Sequence, residues 1–190
     1  MPSPLSPLTI LGDQGQGGTY ILRMQIRQPL LMPFGGFKRG KLIAVPAGEC
    51  VYVGSALGQR GALSLGRRLV RHATRTEPHP PHPIRQQLLA HFAASGLGAG
   101  DLLPKRPKRR HWNVDHLLDQ AEVALSHLIA IRSPQRLEGE IAHWLEHDPH
   151  TFILENGLGA NDMPGNTHLL GVQADEAWWR ALPDVLRMMI

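Results

Sequence analysis

The chain has 190 residues, 42% of them apolar, enough for one domain of ordinary size with its own core, and this excludes wholesale disorder. No apolar run approaches about 18 residues, the first residues (MPSPLSPLTILG) lack the pattern of a signal peptide, and Cys50 is the only cysteine. These exclude a membrane-spanning helix and an internal disulfide, and make the reducing cytoplasm the expected compartment.

In chain order, residues 1–17 are rich in proline and glycine and are expected to form a flexible segment. Thr19 to Arg27 alternates, with Tyr20, Leu22, Met24 and Ile26 on one side and Thr19, Arg23, Gln25 and Arg27 on the other, the pattern of a half-buried strand. After a PLLMPFGGFKRG loop, KLIAV is a second short strand and Cys50 to Gly54 a third, antiparallel to its neighbours because the connections are short. Ala62 to Arg75 reads as a helix. At about 100° per residue, Arg68, Arg71, His72 and Arg75 share one arc, while Ala62, Leu65, Leu69 and Ala73 share another, so a cationic ridge is expected opposite a docking face.

Glu77 to Pro83 (EPHPPHP) is too rich in proline for regular structure and reads as an extended hinge. Ile84 to Ala94 is a short helix, PKRPKRR a basic loop, and HWNVDHLLD has helical spacing at Trp112, Asp115, His116 and Asp119. AEVALSHLIAI suits a strand. Ser133-Pro134 has the form of a helix start, with the helix running to about His147. A glycine-rich turn, ENGLGANDMPGN, precedes a last strand, THLLGV, and a small helix carrying Trp178 and Trp179.

The net charge of +4 is unevenly spread. Residues 60–110 carry eleven Lys and Arg against Glu77 and Asp101, whereas residues 111–190 carry four arginines against twelve acids. Such an oriented field suits a polyanionic partner, and a solvated charge run is the plain alternative. Other chemistries are poorly supported. The glycines at 12–18 lack the Lys-Ser/Thr of a P-loop, and one cysteine makes a structural zinc site improbable. His143 and His147 are spaced i, i+4 for shared metal ligation, but the intervening WLE is not a zinc-protease pattern. A small-molecule hydrolase using the histidines is therefore a distant outsider.

Gly18-Thr19-Tyr20 and Tyr52-Val53-Gly54, followed by the helix segment Arg68 to His72 (RLVRH), resemble the signature strands and helix of the GIY-YIG nuclease superfamily. The similarity is closer to its Uri-type branch of small domains, sometimes fused to endonuclease III-type repair enzymes. The branch's YVGSA appears as Tyr52 to Ala56, its HWxxDxL segment as His111 to Leu117, an ECxLA-like helix as Glu138 to Ala142, and its terminal turn as Gly157 to Leu169. These segments recur in order over residues 17–172.

The resemblance implies an α/β (α+β) fold, a small central, mainly antiparallel sheet flanked by helices. It implies a nuclease-like domain over 18–172, with a segment inserted at about 76–110 and a C-terminal helical extension over 173–190. It also implies a DNA endonuclease of repair or recombination that uses Mg²⁺ (or Mn²⁺), with RNA as a further substrate class and a repair protein as a partner. Tyr20 and Tyr52 would be the signature tyrosines, one orienting or deprotonating the attacking water. Arg68 would stabilise the transition state and His72 shuttle a proton, its pKa lying near neutrality. Glu138 is the first choice of metal ligand, Glu140 the second. Because a tyrosine titrates near 10, the arginine ridge is expected to lower its pKa. Arg71, Arg75, Lys105, Arg106, Lys108, Arg109 and Arg110 would meet phosphates. Met163 and Gly165 stand where the branch often has cysteines, Asn113 where it often has histidine, and Gly139 where it often has cysteine. The alternative is a nucleic-acid-binding module of the same fold without cleavage.

Overall fold

The structure is a computed structural model and describes residues 5–13, 15–98, 101–160 and 165–190. Its centre is the long strand β2 (Gly18–Ile26), as the alternation of Thr19 to Arg27 requires. It lies between β5 (Gly48–Ala56) and β6 (Val123–Arg132), antiparallel to both. The sheet continues through β8 (Leu169–Val172) to β7 (Thr151–Ile153), both pairings antiparallel, and on the other side ends at β1 (Leu8–Leu11), parallel to β6. The six-stranded order is β1-β6-β2-β5-β8-β7. The fold is thus mixed α and β with a mainly antiparallel sheet. No helix is long and apolar enough to cross a membrane among the described residues.

Both faces of the sheet are covered. On one, α1 (Leu65–His72), α2 (Ile84–Ser95) and α3 (Asn113–Leu118) enclose a core that includes Tyr20, Leu22, Met24, Tyr52, Leu69, Leu88 and Leu117. On the other, α4 (Glu138–His147) and α5 (Glu176–Arg187) bury Ile21, Val51, Val53, Ile131, Ile141 and Leu182. Burying a side chain of this size contributes about 1.5–3 kcal/mol, so α5, with Trp179, Leu182 and Leu186 inside, is part of the core.

Several expectations change. The N-terminal segment expected to be flexible contains β1, because its Leu8 and Leu11 reach the two cores. β2 is buried on both faces rather than half-buried, Arg23 being admitted to the interior by two carboxylates. The stretch read as a loop after β2 supplies β3 (Leu30–Pro33), which pairs with β4 (Leu42–Val45) in a separate hairpin outside the main sheet. The first helix is shorter than 62–75. Its first residues form a 3-10 turn (Gly61–Leu63), and Ser64 is extended. Ser133 does not cap α4. Its hydroxyl accepts from the Gln135 N–H at 3.2 Å in a local turn, and the helix starts at Glu138. Strand β7 had no sequence signal, being three residues long.

Candidate active site

A cleft opens at one end of the strands, where α1 on one face of the sheet meets the first turn of α4 on the other. Tyr20, Tyr52, Ser55, Arg68, Trp112, Asn113, Glu138 and Gly159 line it. Tyr20 and Tyr52 come from neighbouring strands, their ring centres 6.3 Å apart. Tyr20 is directly opposite Gly54 in the ladder. A Cβ at Gly54 would lie 2.5 Å from the Tyr20 hydroxyl, so the glycine of YVG is what makes room for the tyrosine of GTY. Gly159, at φ +87°, passes close to Tyr52, where a Cβ would stand 3.2 Å from its ring.

Helix α1 brings Arg68 and His72 to the same place, one turn apart. The Arg68 guanidinium lies over the Trp112 ring at 3.9 Å and has no ion-pair partner among the described residues. His72 is fully buried, and its Nε2 is 2.8 Å from the Tyr20 hydroxyl. Behind it sits Asp115, also fully buried, with Oδ1 3.6 Å from His72 Nδ1. Asp115 takes two hydrogen bonds from Arg71 at 3.0 Å and the N–H groups of His111 at 2.8 Å and Trp112 at 3.1 Å. Lys108 Nζ is 3.4 Å away.

Glu138 reaches the cleft from the first residue of α4, where a negative charge is favoured by the helix dipole. Its carboxylate accepts from the Ser55 hydroxyl and lies 3.2 Å from His168 Nδ1. Burial works to raise its pKa, but His168, Ser55 and Arg68 outweigh that and hold it below the usual carboxylate range. Glu140 is exposed and outside the cleft, so Glu138 is the candidate ligand and Glu140 is not. Among the described residues no group of three or more His, Cys, Asp and Glu could hold a metal, and His143 and His147 therefore stand as a pair without a third ligand. One ionised carboxylate in a polar cleft, all its donors oxygen, fits a hard ion such as Mg²⁺ or Mn²⁺ that keeps several waters, and does not fit a zinc cage.

The titration of the tyrosines and of His72 differs from expectation. Burial pushes the pKa of both tyrosines up. At Tyr20, Arg68 pulls the other way, but Glu138 and Asp115 add to the rise. Tyr52 is raised by burial and by Tyr20, Glu138 and Asp115. His72 is not poised near neutrality. Burial lowers it to about 4 although Asp115 pulls it up, so its imidazole is neutral at pH 7. At Asp115 burial works to raise the pKa, and contact with His72, Lys108 and Arg71 drives it far down, so the carboxylate is ionised.

The expected cationic ridge is largely consumed by the fold. Arg71 spends its guanidinium on Asp115 and the Arg109 carbonyl, and stacks on Trp112 at 4.4 Å. Arg75 donates to the carbonyls of Leu118 (3.0 Å), Gln120 and Val123. Lys108 is buried, donating to the Thr74 carbonyl at 2.8 Å between Asp115 and Asp119, so it is no surface contact. Arg110 is exposed and pairs with Asp119 at 3.2 Å. Lys105, Arg106 and Arg109 are exposed, and Lys105 and Arg106 line an open groove with Arg75, Arg85 and His79. Ser55, Trp112, Asp115 and His168 were given no role from sequence. The signal for them was their place in the segments YVGSA, HWNVDHL and the terminal turn. Trp112 precedes α3 in extended backbone, and Asp115 in its first turn accepts from the Trp112 N–H. The Met163 position, together with residues 161, 162 and 164 of the terminal turn, lies outside the described residues. Gly165, at φ +102°, has open space where a Cβ would be.

Residues 19–190 match the family model described as "Domain of unknown function DUF123". No curated protein and no solved structure matches the chain.

Proposed function

This chain belongs to the DUF123 family, and we propose that it is a divalent-metal-dependent DNA endonuclease of the GIY-YIG type, cutting phosphodiester bonds in repair or recombination. The observation that carries the reading is that Tyr20, Tyr52, Arg68 and Glu138, which lie up to 118 residues apart in sequence, line one cleft, with His72 on the hydroxyl of Tyr20. A nuclease needs a positive group for the charge that develops on phosphorus oxygens. Arg68, stacked and without a carboxylate partner among the described residues, is suited to it. Glu138, with Ser55 holding its carboxylate, would seat Mg²⁺ or Mn²⁺, and the metal when bound supplies further charge against those oxygens. Tyr20 and Tyr52 orient the attacking water, and the buried walls of the cleft exclude competing solvent.

The nucleic acid would leave the cleft along α1 toward the groove of Lys105 and Arg106. From Arg68 to the end of the helix at His72 the rise is about 6 Å, roughly two base-pair steps of a strand. These are contacts to backbone, so binding is expected to be salt-sensitive and weakly sequence-specific. We place the activity in the cytoplasm, where a free buried cysteine such as Cys50 is at home.

The test is incubation of nicked, flapped, branched and single-stranded DNA, and single-stranded RNA, with the protein in Mg²⁺, Mn²⁺ or EDTA. The reading expects cleavage with a metal and none in EDTA. Binding without cleavage of any substrate would replace the enzyme by a non-catalytic nucleic-acid-binding module, and cleavage of RNA alone would change the substrate.

A further inference from the structure

A tyrosine that burial keeps protonated cannot act on water unless something takes its proton, and among the described residues one acceptor is within hydrogen-bond reach of the Tyr20 hydroxyl. His72 Nε2 is 2.8 Å from the Tyr20 hydroxyl. Whether it can accept depends on which ring nitrogen carries the proton of the neutral imidazole. The opposite nitrogen, Nδ1, is buried and makes no hydrogen bond among the described residues. Asp115 Oδ1 lies 3.6 Å from it, beyond hydrogen-bond length, so the carboxylate favours a proton on Nδ1 by its charge. Lys108 and Arg71 pair with that same carboxylate. The remaining rings around His72 are Tyr52 and Trp112, at 6.2 and 5.7 Å between centres, and neither competes for Nδ1. Asp115 is held from four directions, by the fork of Arg71, by Lys108, and by the N–H groups of His111 and Trp112 at the start of α3. A carboxylate so fully anchored cannot turn away from the imidazole.

We propose that Asp115 is a positioning residue of the reaction, which keeps the neutral His72 protonated on Nδ1 so that its Nε2 lone pair is the acceptor for the Tyr20 proton. Lys108 and Arg71 hold Asp115 in place. This inference rests on the nuclease reading and adds to it the route of the proton. As the water oxygen bonds to phosphorus, its proton passes to the Tyr20 oxygen while the Tyr20 proton passes to His72 Nε2. The bond from phosphorus to the leaving oxygen breaks, its electron pair stays on that oxygen, and the oxygen takes a proton from solvent. The imidazolium, facing Asp115, then returns its proton to solvent by way of Tyr20. The sum is one phosphodiester and one water giving a phosphomonoester and an alcohol.

Long-range ¹H–¹⁵N correlation on the folded wild-type protein reads the tautomer directly, without any cleavage. The expected result is a protonated Nδ1 and an unprotonated Nε2 on His72. A proton on Nε2 would overturn the proposal. Asp115→Asn is expected to lower kcat about 10²–10⁴-fold with KM little changed, and Asp115→Glu to recover part of the loss. A folded Asp115→Asn protein with unchanged kcat would also overturn it. A residue that merely capped α3 would alter stability and leave the tautomer and the kcat-to-KM split as they were. If Asp115→Asn fails to fold, the wild-type tautomer still decides. If the wild type cuts no DNA, the nuclease reading falls while the tautomer result stands on its own.

Discussion

On the face covered by α4 and α5, Arg23 lies 4.4 Å from the centre of the Trp179 ring, with Glu49 at 2.7 Å and Glu176 at 2.6 Å. On the face covered by α1 to α3, Arg68 lies 3.9 Å from Trp112 with no ion-pair partner among the described residues. An arginine stacked on a tryptophan thus occurs on both faces, buried behind two carboxylates at Arg23 and lining a cleft at Arg68. A buried charge needs partners before the fold can tolerate it. Arg23 has them within the chain. Arg68, set by its tryptophan and facing the cleft, has its charge available to a ligand. The neighbouring Arg71 shows the intermediate case, also on Trp112 but committed to Asp115.

Exchanging the two arginines for alanine is the severest way to break this comparison. Arg68→Ala is expected to slow DNA cleavage about 10³–10⁵-fold, as when an arginine is withdrawn from phosphoryl transfer, while losing about 1 kcal/mol of stability with the cation–π contact. Arg23→Ala should do the reverse, costing about 3–5 kcal/mol by leaving two carboxylates without their partner, with cleavage by the folded protein unchanged. Denaturant unfolding and single-turnover cleavage of both variants measure the contrast. Activity lost in Arg23→Ala and kept in Arg68→Ala would invert it.

Acid should act first on the side of the cleft. The pKa of His72 falls from 6.5 to about 4 on folding and that of His82, buried with Nδ1 accepting from the Leu125 N–H at 3.1 Å, to about 3. Burial is the main cause in both. The unfolded chain therefore binds more protons than the folded one below pH 6.5. Stability is complete above that pH and declines as pH falls through the window down to about 4, by roughly 3 kcal/mol for His72 alone. Unfolding followed from pH 7 to 4 should show the slope, and His82→Asn, which can still accept from Leu125, should flatten it. A flat wild-type profile would contradict the burial of these imidazoles.

A smaller effect follows at Gly54. Alanine there is expected to cost about 1–3 kcal/mol by overpacking, and to reduce cleavage by displacing the Tyr20 hydroxyl. The mildest changes concern the basic segment. Removing Lys105 and Arg106 together should reduce the slope of log affinity against log salt by about 2 for duplex DNA. Lys108→Ala should instead be read out in stability, since its ammonium is buried between Asp115 and Asp119.

Much of this architecture was legible in the residues. The alternation around Tyr20 set its strand and its face, and the docking arc of α1 put Leu65 and Leu69 in the core. What pattern does not carry is tertiary partnership. Helical spacing set Arg71 and Arg75 beside Arg68, but only the approach of α3 and of the chain leading into β6 decides that their charges face Asp115 and backbone carbonyls. A buried lysine in PKRPKRR reads as one more surface cation, because its two aspartates arrive from residues downstream. Strand β1 and the β3–β4 hairpin escaped because proline and glycine signals outweighed four-residue strands. The choice of Glu138 over Glu140 likewise needed Ser55 and His168 beside it.

The claim that the cleft is a one-carboxylate metal site facing a free arginine is tested most directly by a crystal of the protein soaked in Mn²⁺ and read by the anomalous signal of the ion. The account predicts one ion about 2.1 Å from the Glu138 carboxylate, within the cleft formed by Tyr20, Tyr52 and Arg68. An ion on His143 and His147, with the Glu138 carboxylate bare, would contradict it.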